Sequence, residues 1–368
     1  NKLKKIMIYL PNLNGGGAEK VYTNLANSWI SEDIEVVFIL NKKVGPFLTK
    51  LNSKVRVEEL KVNKIRKAVF LLPKLLKKEK PDICIAAMWP LTSLMIVIFK
   101  IFFLKTKLII SDHVNLTESI KKETNFNYLL FKLILKYTYP FADGIICVSN
   151  GVRDNICKIS GINKNKIKVI YNPVILDQQI GKFNYYKDFK KNKNELIFLS
   201  VGSLKLQKNH EILINAFSLL DNNANAKLII LGSGPMKNKL LKLIDSKKNK
   251  EKIQIVDFNL EVEKYFLNSN IFVLSSDWEG FGNVLVEALH YGLKIISSDC
   301  KYGPSEILEN GKFAELFEVG NVNELHKILD KQLIEYDNEL IYQNYIRSLD
   351  FTVSKISKEY LEYFNKIL

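Results

Sequence analysis

The chain has 368 residues, of which 47% are hydrophobic and 25% charged, close to globular averages and enough for two domains that each bury a core. Its four cysteines, Cys84, Cys147, Cys157 and Cys300, are scattered without a CxxC pair, which excludes a disulfide framework and points to a reducing compartment, the cytosol. The net charge of +15 lies wholly in the first half: residues 1–180 hold 29 Lys and Arg against 14 Asp and Glu, and the remainder holds 25 against 25.

A basic half beside a neutral one fits an anionic partner such as acidic lipid, a phosphorylated acceptor or nucleic acid. The plain alternative is a solvated lysine-rich face. The excess is concentrated in residues 61–67 and 74–80.

The chain begins with a basic pentapeptide followed by the apolar run 6–10, too short for a signal-peptide core and not followed by a small-residue cleavage site. Strands are expected at 5–10, 35–40, 83–87, 108–111 and 144–148. Helices are expected between and after them at 18–31, 65–78, 91–104, 127–137 and 151–158. This βαβ rhythm implies a parallel sheet covered on both faces. Residues 94–104 are the most apolar stretch, but they are shorter than the roughly 20 residues that span a bilayer and are interrupted by Lys100. They read as a buried helix, or as a helix dipping into a membrane interface beside the lysines.

Residues 1–176 thus form a first domain. Residues 177–194, polar, aromatic and without a clean period, read as a linker. The rhythm restarts in a second domain, 195–350. Strands are expected at 196–201, 226–231, 253–256, 271–275 and 294–297, and helices at 209–220, 236–246, 261–267 and 283–291. A last helix, 353–367 within 351–368, is expected to return to the first domain. The fold class is α/β: two Rossmann-like domains with parallel sheets facing a central cleft, where a ligand sits at the carboxyl ends of strands.

The densest chemistry lies in Ser-Ser-Asp-Trp-Glu-Gly-Phe-Gly-Asn, 275–283, with Glu279 and Glu287 separated by seven residues. A strand leads into a glycine-bearing loop and then a helix. Asn283 is a good N-cap type, the amides of Val284 and Leu285 point out of the helix start, and Gly280 and Gly282 let a ligand approach the backbone. Carboxylates beside an anion site make sense if they accept hydrogen bonds from hydroxyl groups. An isolated pair of glutamates would more often be incidental helix formers.

Here the pair is accompanied. The stretch 279–287 resembles the E-x7-E motif of the retaining glycosyltransferases of family 4, which have the GT-B fold, and further matches run in order from about residue 6 to 320. They are Asn14-Gly-Gly-Gly-Ala-Glu-Lys20, Ser111-Asp-His113, "DGIICVSNGV" at 143–152, "VIYNPV" at 169–174, "VGSLKLQKN" at 201–209, "LIILGSGP" at 228–235 and "DCKYGPSEIL" at 299–308. Each is weak alone; together they are specific.

The resemblance implies roles. Glu279 holds hydroxyls of the donor sugar, Glu287 those of the ribose, and the Val284 and Leu285 amides meet the diphosphate. Lys208 supplies charge to the departing phosphate. His113 lies near the transferred sugar, and Gly16 and Gly17 permit close approach to donor and acceptor. Where the family commonly has an arginine on the diphosphate, this chain has Ser203, so that Lys205 substitutes or Lys208 acts alone; a lysine lacks the bidentate fork. Alone, His113 would be an ordinary structural histidine, Lys208 one lysine among many, and residues 15–17 any turn. Glu19 and Lys20 could simply charge a first helical turn.

The chain has no Asp-x-Asp motif and no metal-ligand spacing of His or Cys, so transfer without a metal or other cofactor is expected. The implied activity is transfer, with retention, of a hexose or N-acetylhexosamine from a nucleotide sugar of the UDP type, to a polyprenyl-diphosphate-linked saccharide in surface-polysaccharide assembly. The place implied is the cytoplasmic face of the plasma membrane, held there by the basic first domain. A sugar-nucleotide epimerase on the same fold and a catalytically weak binding subunit are the alternatives. No motif supports a nucleic-acid partner.

Overall fold

The computed structural model describes residues 3–14, 16–62, 67–181, 195–259, 261–334 and 339–368. It divides into two compact units, Asn1–Asp177 with Phe351–Leu368, and Gln178–Asp350. Most of the expected linker, 182–194, lies outside the described residues. So do Gly15 of the glycine run and residues 63–66, which cover the start of the expected helix 65–78.

In the first unit the strands are β1 (Lys5–Leu10), β2 (Glu35–Leu40), β3 (Arg56–Glu59), β4 (Ile83–Ala87), β5 (Lys107–Asp112), β6 (Gly144–Cys147) and β7 (Ile167–Val169). They pair in parallel in the order 3-2-1-4-5-6-7. The helices are α1 (Gly17–Ile30), α2 (Ala68–Glu79), α3 (Leu91–Ile101), α4 (Leu116–Glu123), α5 (Tyr128–Thr138) and α6 (Asn150–Ser160). Local chemistry sets their ends. The Asn115, Asn127 and Ser149 side chains accept from amides of the first turns of α4, α5 and α6, and Gly161 closes α6 in the left-handed region at φ 75°.

The second unit contains β8 (Leu196–Val201), α7 (His210–Phe217), β9 (Ala226–Leu231), α8 (Lys237–Asp245), β10 (Ile253–Val256), α9 (Val262–Leu267) and β11 (Ile271–Leu274). After these come α10 (Asn283–His290), β12 (Lys294–Ser298), α11 (Pro304–Ile307), β13 (Glu315–Phe317), α12 (Val322–Ile334) and α13 (Glu339–Ser348). Its parallel sheet runs 10-9-8-11-12-13. Both sheets are doubly wound, and their order reverses between β1 and β4 and between β8 and β11. The carboxyl ends of those strands are where such sheets take ligands.

Nearly continuous apolar strands such as Ile6–Leu10 and Val36–Leu40 are buried on both faces, as a covered parallel sheet requires. Residues 91–101 form a helix that buries Leu91, Met95, Ile96, Ile98 and Phe99 and exposes Val97 and Ile101. Among the described residues no helix is long and apolar enough to cross a membrane.

The last helix, α14 (Val353–Ile367), belongs to the first unit. It packs on α1, with Tyr360 and Phe364 edge-on to the Trp29 ring at 6.1 and 5.5 Å, and the Ser28 and Ser357 hydroxyls 2.9 Å apart. Trp29 is fully buried. Trp29→Ala is therefore expected to lower stability by about 3–5 kcal/mol, the cost of an aromatic-sized cavity. Urea unfolding followed by circular dichroism checks this, and a loss under about 1 kcal/mol would show that α14 docks without that ring.

Candidate active site

The second unit's site is built at the switch point. From β8 the chain passes through residues 202–205, a 3-10 turn at Leu206–Lys208, and Asn209 in the left-handed region at φ 41°. From β11 it passes through residues 275–282 into α10. The two loops are fastened together. The Asp277 amide donates to the Gln207 carbonyl at 2.9 Å, and Gln207 Nε2 donates to the Trp278 carbonyl at 2.9 Å. Asn209 Nδ2 donates to Asp277 Oδ1 at 2.7 Å, and Ser275 Oγ donates to the Lys208 carbonyl at 2.8 Å.

This framework brings Lys208 and Glu279 together. Lys208 Nζ lies 2.5 Å from Glu279 Oε1, and Ser276 Oγ donates to the same oxygen at 2.6 Å. Glu279 is buried, and the Lys208 side chain is 15% exposed. A buried carboxylate needs such partners, because desolvation of an unpaired charge costs several kcal/mol (roughly 3–5 when one member of a buried pair is removed). The Lys208 stem crosses Gly202, where a Cβ would stand 3.2 Å from Lys208 Cε. Ser276 is itself fixed, its carbonyl accepting from Ser298 Oγ at 2.6 Å. The nearby Cys300 thiol is pushed up to about 12, by burial first and by Glu279 second, so it stays protonated.

The helix start departs from expectation in two details. The N-cap is Gly282, at φ 100° and ψ 54°, and Asn283 is the first helical residue, so the cap needs backbone freedom rather than an Asn side chain. The Leu285 amide donates to the Gly282 carbonyl at 2.9 Å, so one of the two amides expected to meet a ligand is taken up by the helix's own first turn. Residue 303 must be glycine for this turn, since a Cβ there would stand 2.3 Å from the Phe281 backbone. Glu287, half-buried, lies one turn into α10. Ser203 and Lys205 are both exposed, the Lys205 amide donating to the Ser203 carbonyl at 2.9 Å.

In the first unit, His113 follows β5. It is buried, its Nε2 is 3.0 Å from Ser111 Oγ, and its ring meets the edge of Tyr22 of α1 at 5.5 Å. Burial pushes its titration down to about 3, so the imidazole is neutral. Gly16 is the N-cap of α1, whose first residue is Gly17. The Glu19 carboxylate folds over Gly16 and fills the space a Cβ would take.

Sequence reasoning passed over Asp112, Ser276 and the Asn209–Asp277 clasp. Asp112 is buried, with Oδ1 accepting from Tyr139 Oη at 3.3 Å and Oδ2 without a partner among the described residues. Tyr139 Oη also lies 2.9 Å from Thr92 Oγ1. Asp112, Asn209, Ser276 and Asp277 all stood inside motifs already singled out. Their roles depend on which loop faces them, which no local pattern encodes.

Known proteins resolve what this arrangement belongs to. The profile for glycosyl transferases group 1 matches residues 182–348, and that for Glycosyltransferase Family 4 matches residues 15–178. An N-acetylgalactosaminyltransferase of Campylobacter jejuni, named for an N-acetylgalactosamine-N,N'-diacetylbacillosaminyl-diphospho-undecaprenol acceptor, is 30% identical over 371 residues, covering 98% of this chain and 99% of its own. The chain belongs to glycosyltransferase family 4. This family 4 glycosyltransferase is also 31% identical over 306 residues to an uncharacterized glycosyltransferase of Methanocaldococcus jannaschii, covering 79% of this chain and 71% of that one. Its GT-B fold is shared with a Rickettsia africae glycosyltransferase (TM-score 0.80, 19% identity, 100% and 99% of the two chains). Anabaena HepE, solved with UDP and glucose, shares it too (TM-score 0.78, 19% identity, 99% and 100%).

Burial pushes the Asp112 carboxyl up from an ordinary 3.8 to about 7, with the Tyr139 hydrogen bond pulling the other way. The native state then keeps a proton that the unfolded chain releases near pH 4. Asp112's contribution to stability is full below about pH 4 and is lost as pH rises through about 7, at up to about 1.4 kcal/mol per pH unit. His113 acts oppositely: its contribution is present above its ordinary 6.5 and is lost as pH falls toward 3. Asp112→Asn is expected to lose less stability than wild type between pH 5 and 7 in urea unfolding. Parallel curves for the two proteins would contradict the burial-driven shift.

Proposed function

We propose that this family 4 glycosyltransferase moves a hexose or N-acetylhexosamine, with retention and without a metal, from a UDP-sugar to a polyprenyl-diphosphate-linked saccharide. The observation that carries this reading is the Lys208–Glu279–Ser276 cluster at the carboxyl ends of β8 and β11. Lys208 is a fixed cation for the departing phosphate. Glu279, oriented by two donors, accepts hydrogen bonds from sugar hydroxyls. The Val284 amide at the start of α10 adds a donor for the diphosphate, and Glu287 one turn on is suited to ribose hydroxyls.

Charge neutralisation by lysine and amide groups removes the need for a cation. Among the described residues no cluster of three or more His, Cys, Asp and Glu is set to hold a metal. With Ser203 where the family has an arginine for the diphosphate, the proposal gives that work to Lys208, shared with Lys205, whose side chain is exposed. The neutral His113 imidazole is a hydrogen-bonding group for the transferred sugar rather than a charge. Glu279 is committed to Lys208 and Ser276, which disfavours it as a nucleophile. The leaving phosphate, staying on the same face, accepts the proton of the acceptor hydroxyl. The acceptor class follows the name of the Campylobacter relative.

Transfer from UDP-sugars to a short-chain polyprenyl-diphosphate saccharide, with the new linkage assigned by nuclear magnetic resonance, tests this. Glu279→Ala and Lys208→Met should each lower kcat about 10²–10³-fold, comparable to removing one preorganised electrostatic group. EDTA should leave the rate unchanged. Unimpaired transfer in either variant, an inverted linkage, loss of activity in EDTA, or acceptor-independent epimerisation of the donor would each contradict the proposal.

A further inference from the structure

We propose that the outward face of α5, together with the end of α3, docks the first unit on an anionic lipid bilayer; this rests on the lipid-linked acceptor proposed above. The two sides of α5 are both apolar. Its inward stripe, Phe131 and Leu135, is buried, and Tyr139 continues that stripe into the 3-10 turn that follows. Its outward stripe is exposed: Leu129 is 71% exposed, Leu133 50% and Tyr137 66%. An ordinary surface helix would be polar there.

The apolar surface continues onto neighbouring elements. Ile101 at the end of α3 is 60% exposed, Phe103 in the turn beyond it 88%, and Phe141 56%. Ser93 Oγ lies 3.2 Å from Thr138 Oγ1 and ties α3 to α5. Lys100 Nζ sits 4.7 Å from the Phe141 ring centroid. Such a patch marks an interaction surface.

Charge selects the occupant. Helices α3 and α5 contain Lys100, Lys132 and Lys136 and not one Asp or Glu, in a half-chain that carries the whole net charge. Interleaved lysine and large apolar side chains suit a surface that is negative outside and oily beneath, where lysine stems lie along the apolar layer and their ammonium groups reach the phosphates. Each helix has 11 residues, so both lie on the surface rather than span it. A second copy of the chain is the weaker occupant, because a two-fold contact through this face would set lysines against lysines.

The test is sedimentation of the whole chain with vesicles of phosphatidylcholine alone or of phosphatidylcholine mixed with the anionic lipid phosphatidylglycerol, without donor or acceptor. The comparison is with a Leu129→Glu, Leu133→Glu double variant and a Lys132→Glu, Lys136→Glu double variant. We expect wild type to bind the anionic vesicles at low salt and to release at high salt. Both variants should bind at least about tenfold more weakly, while turning over a short-chain acceptor in solution at the wild-type rate. Equal binding by wild type and either variant, or equal binding to both vesicle types, overturns the proposal. So does wild-type dimerisation in analytical ultracentrifugation that the Leu129→Glu, Leu133→Glu change abolishes. Vesicle binding without sugar transfer would refute the proposed acceptor chemistry while leaving the docking face standing.

Discussion

Two opposite charges, Lys208 and Glu279, lie at the ends of adjacent parallel strands where little water reaches them. Each carries a desolvation cost that the other, together with Ser276, offsets. Much of the second unit's local design follows. Gly202 leaves a path for the lysine stem, and Gly303 lets its loop lie against Phe281. Asn209 takes a left-handed turn so that its amide clasps Asp277. Ser298 holds Ser276, which in turn aims Glu279. The result is a pair of charges oriented in advance, and under the proposed function that preorganisation is what would stabilise the transfer.

The first unit uses the opposite device. Burial keeps His113 neutral and pushes Asp112 toward protonation, so the end of β5 presents polar groups with little net charge. Tyr139 connects this strand end to α3 and α5 through Asp112 and Thr92, and α5 carries the exposed apolar and lysine face. Thus the net charge of the half-chain sits on its surface, while the polar groups beside His113 are held by burial and hydrogen bonds.

The sequence shows the fold wherever the hydrophobic period is unmixed. Residues 196–201, 226–231 and 253–256 are four- to six-residue apolar strands flanked by turns, and their limits coincide with β8, β9 and β10. The strands β3, β7 and β13 were invisible. Arg-Val-Glu-Glu and Glu-Leu-Phe are too short and too polar to show a period, and they exist because a neighbour supplies the ladder. Asn283 looked like a cap because its side chain is a good one, yet tertiary packing of residues 281–282 against Gly303 and Pro304 placed the cap at Gly282. Glu279, Lys208 and His113 were singled out through the resemblance of their motifs to family 4. The contact between Lys208 and Glu279 was not, because 71 residues separate them and only the sheet order makes β8 and β11 neighbours.

The most direct test of the second unit as a preorganised diphosphate site is thermal unfolding with UDP, GDP and ADP, each with and without EDTA, for wild type and Lys208→Met. A nucleotide at 100 times its dissociation constant stabilises by about 2.7 kcal/mol. We expect a UDP-selective rise in wild type that EDTA does not change and that Lys208→Met loses. No rise with any nucleotide, or an equal rise in the variant, would contradict a site built on the Lys208–Glu279 pair.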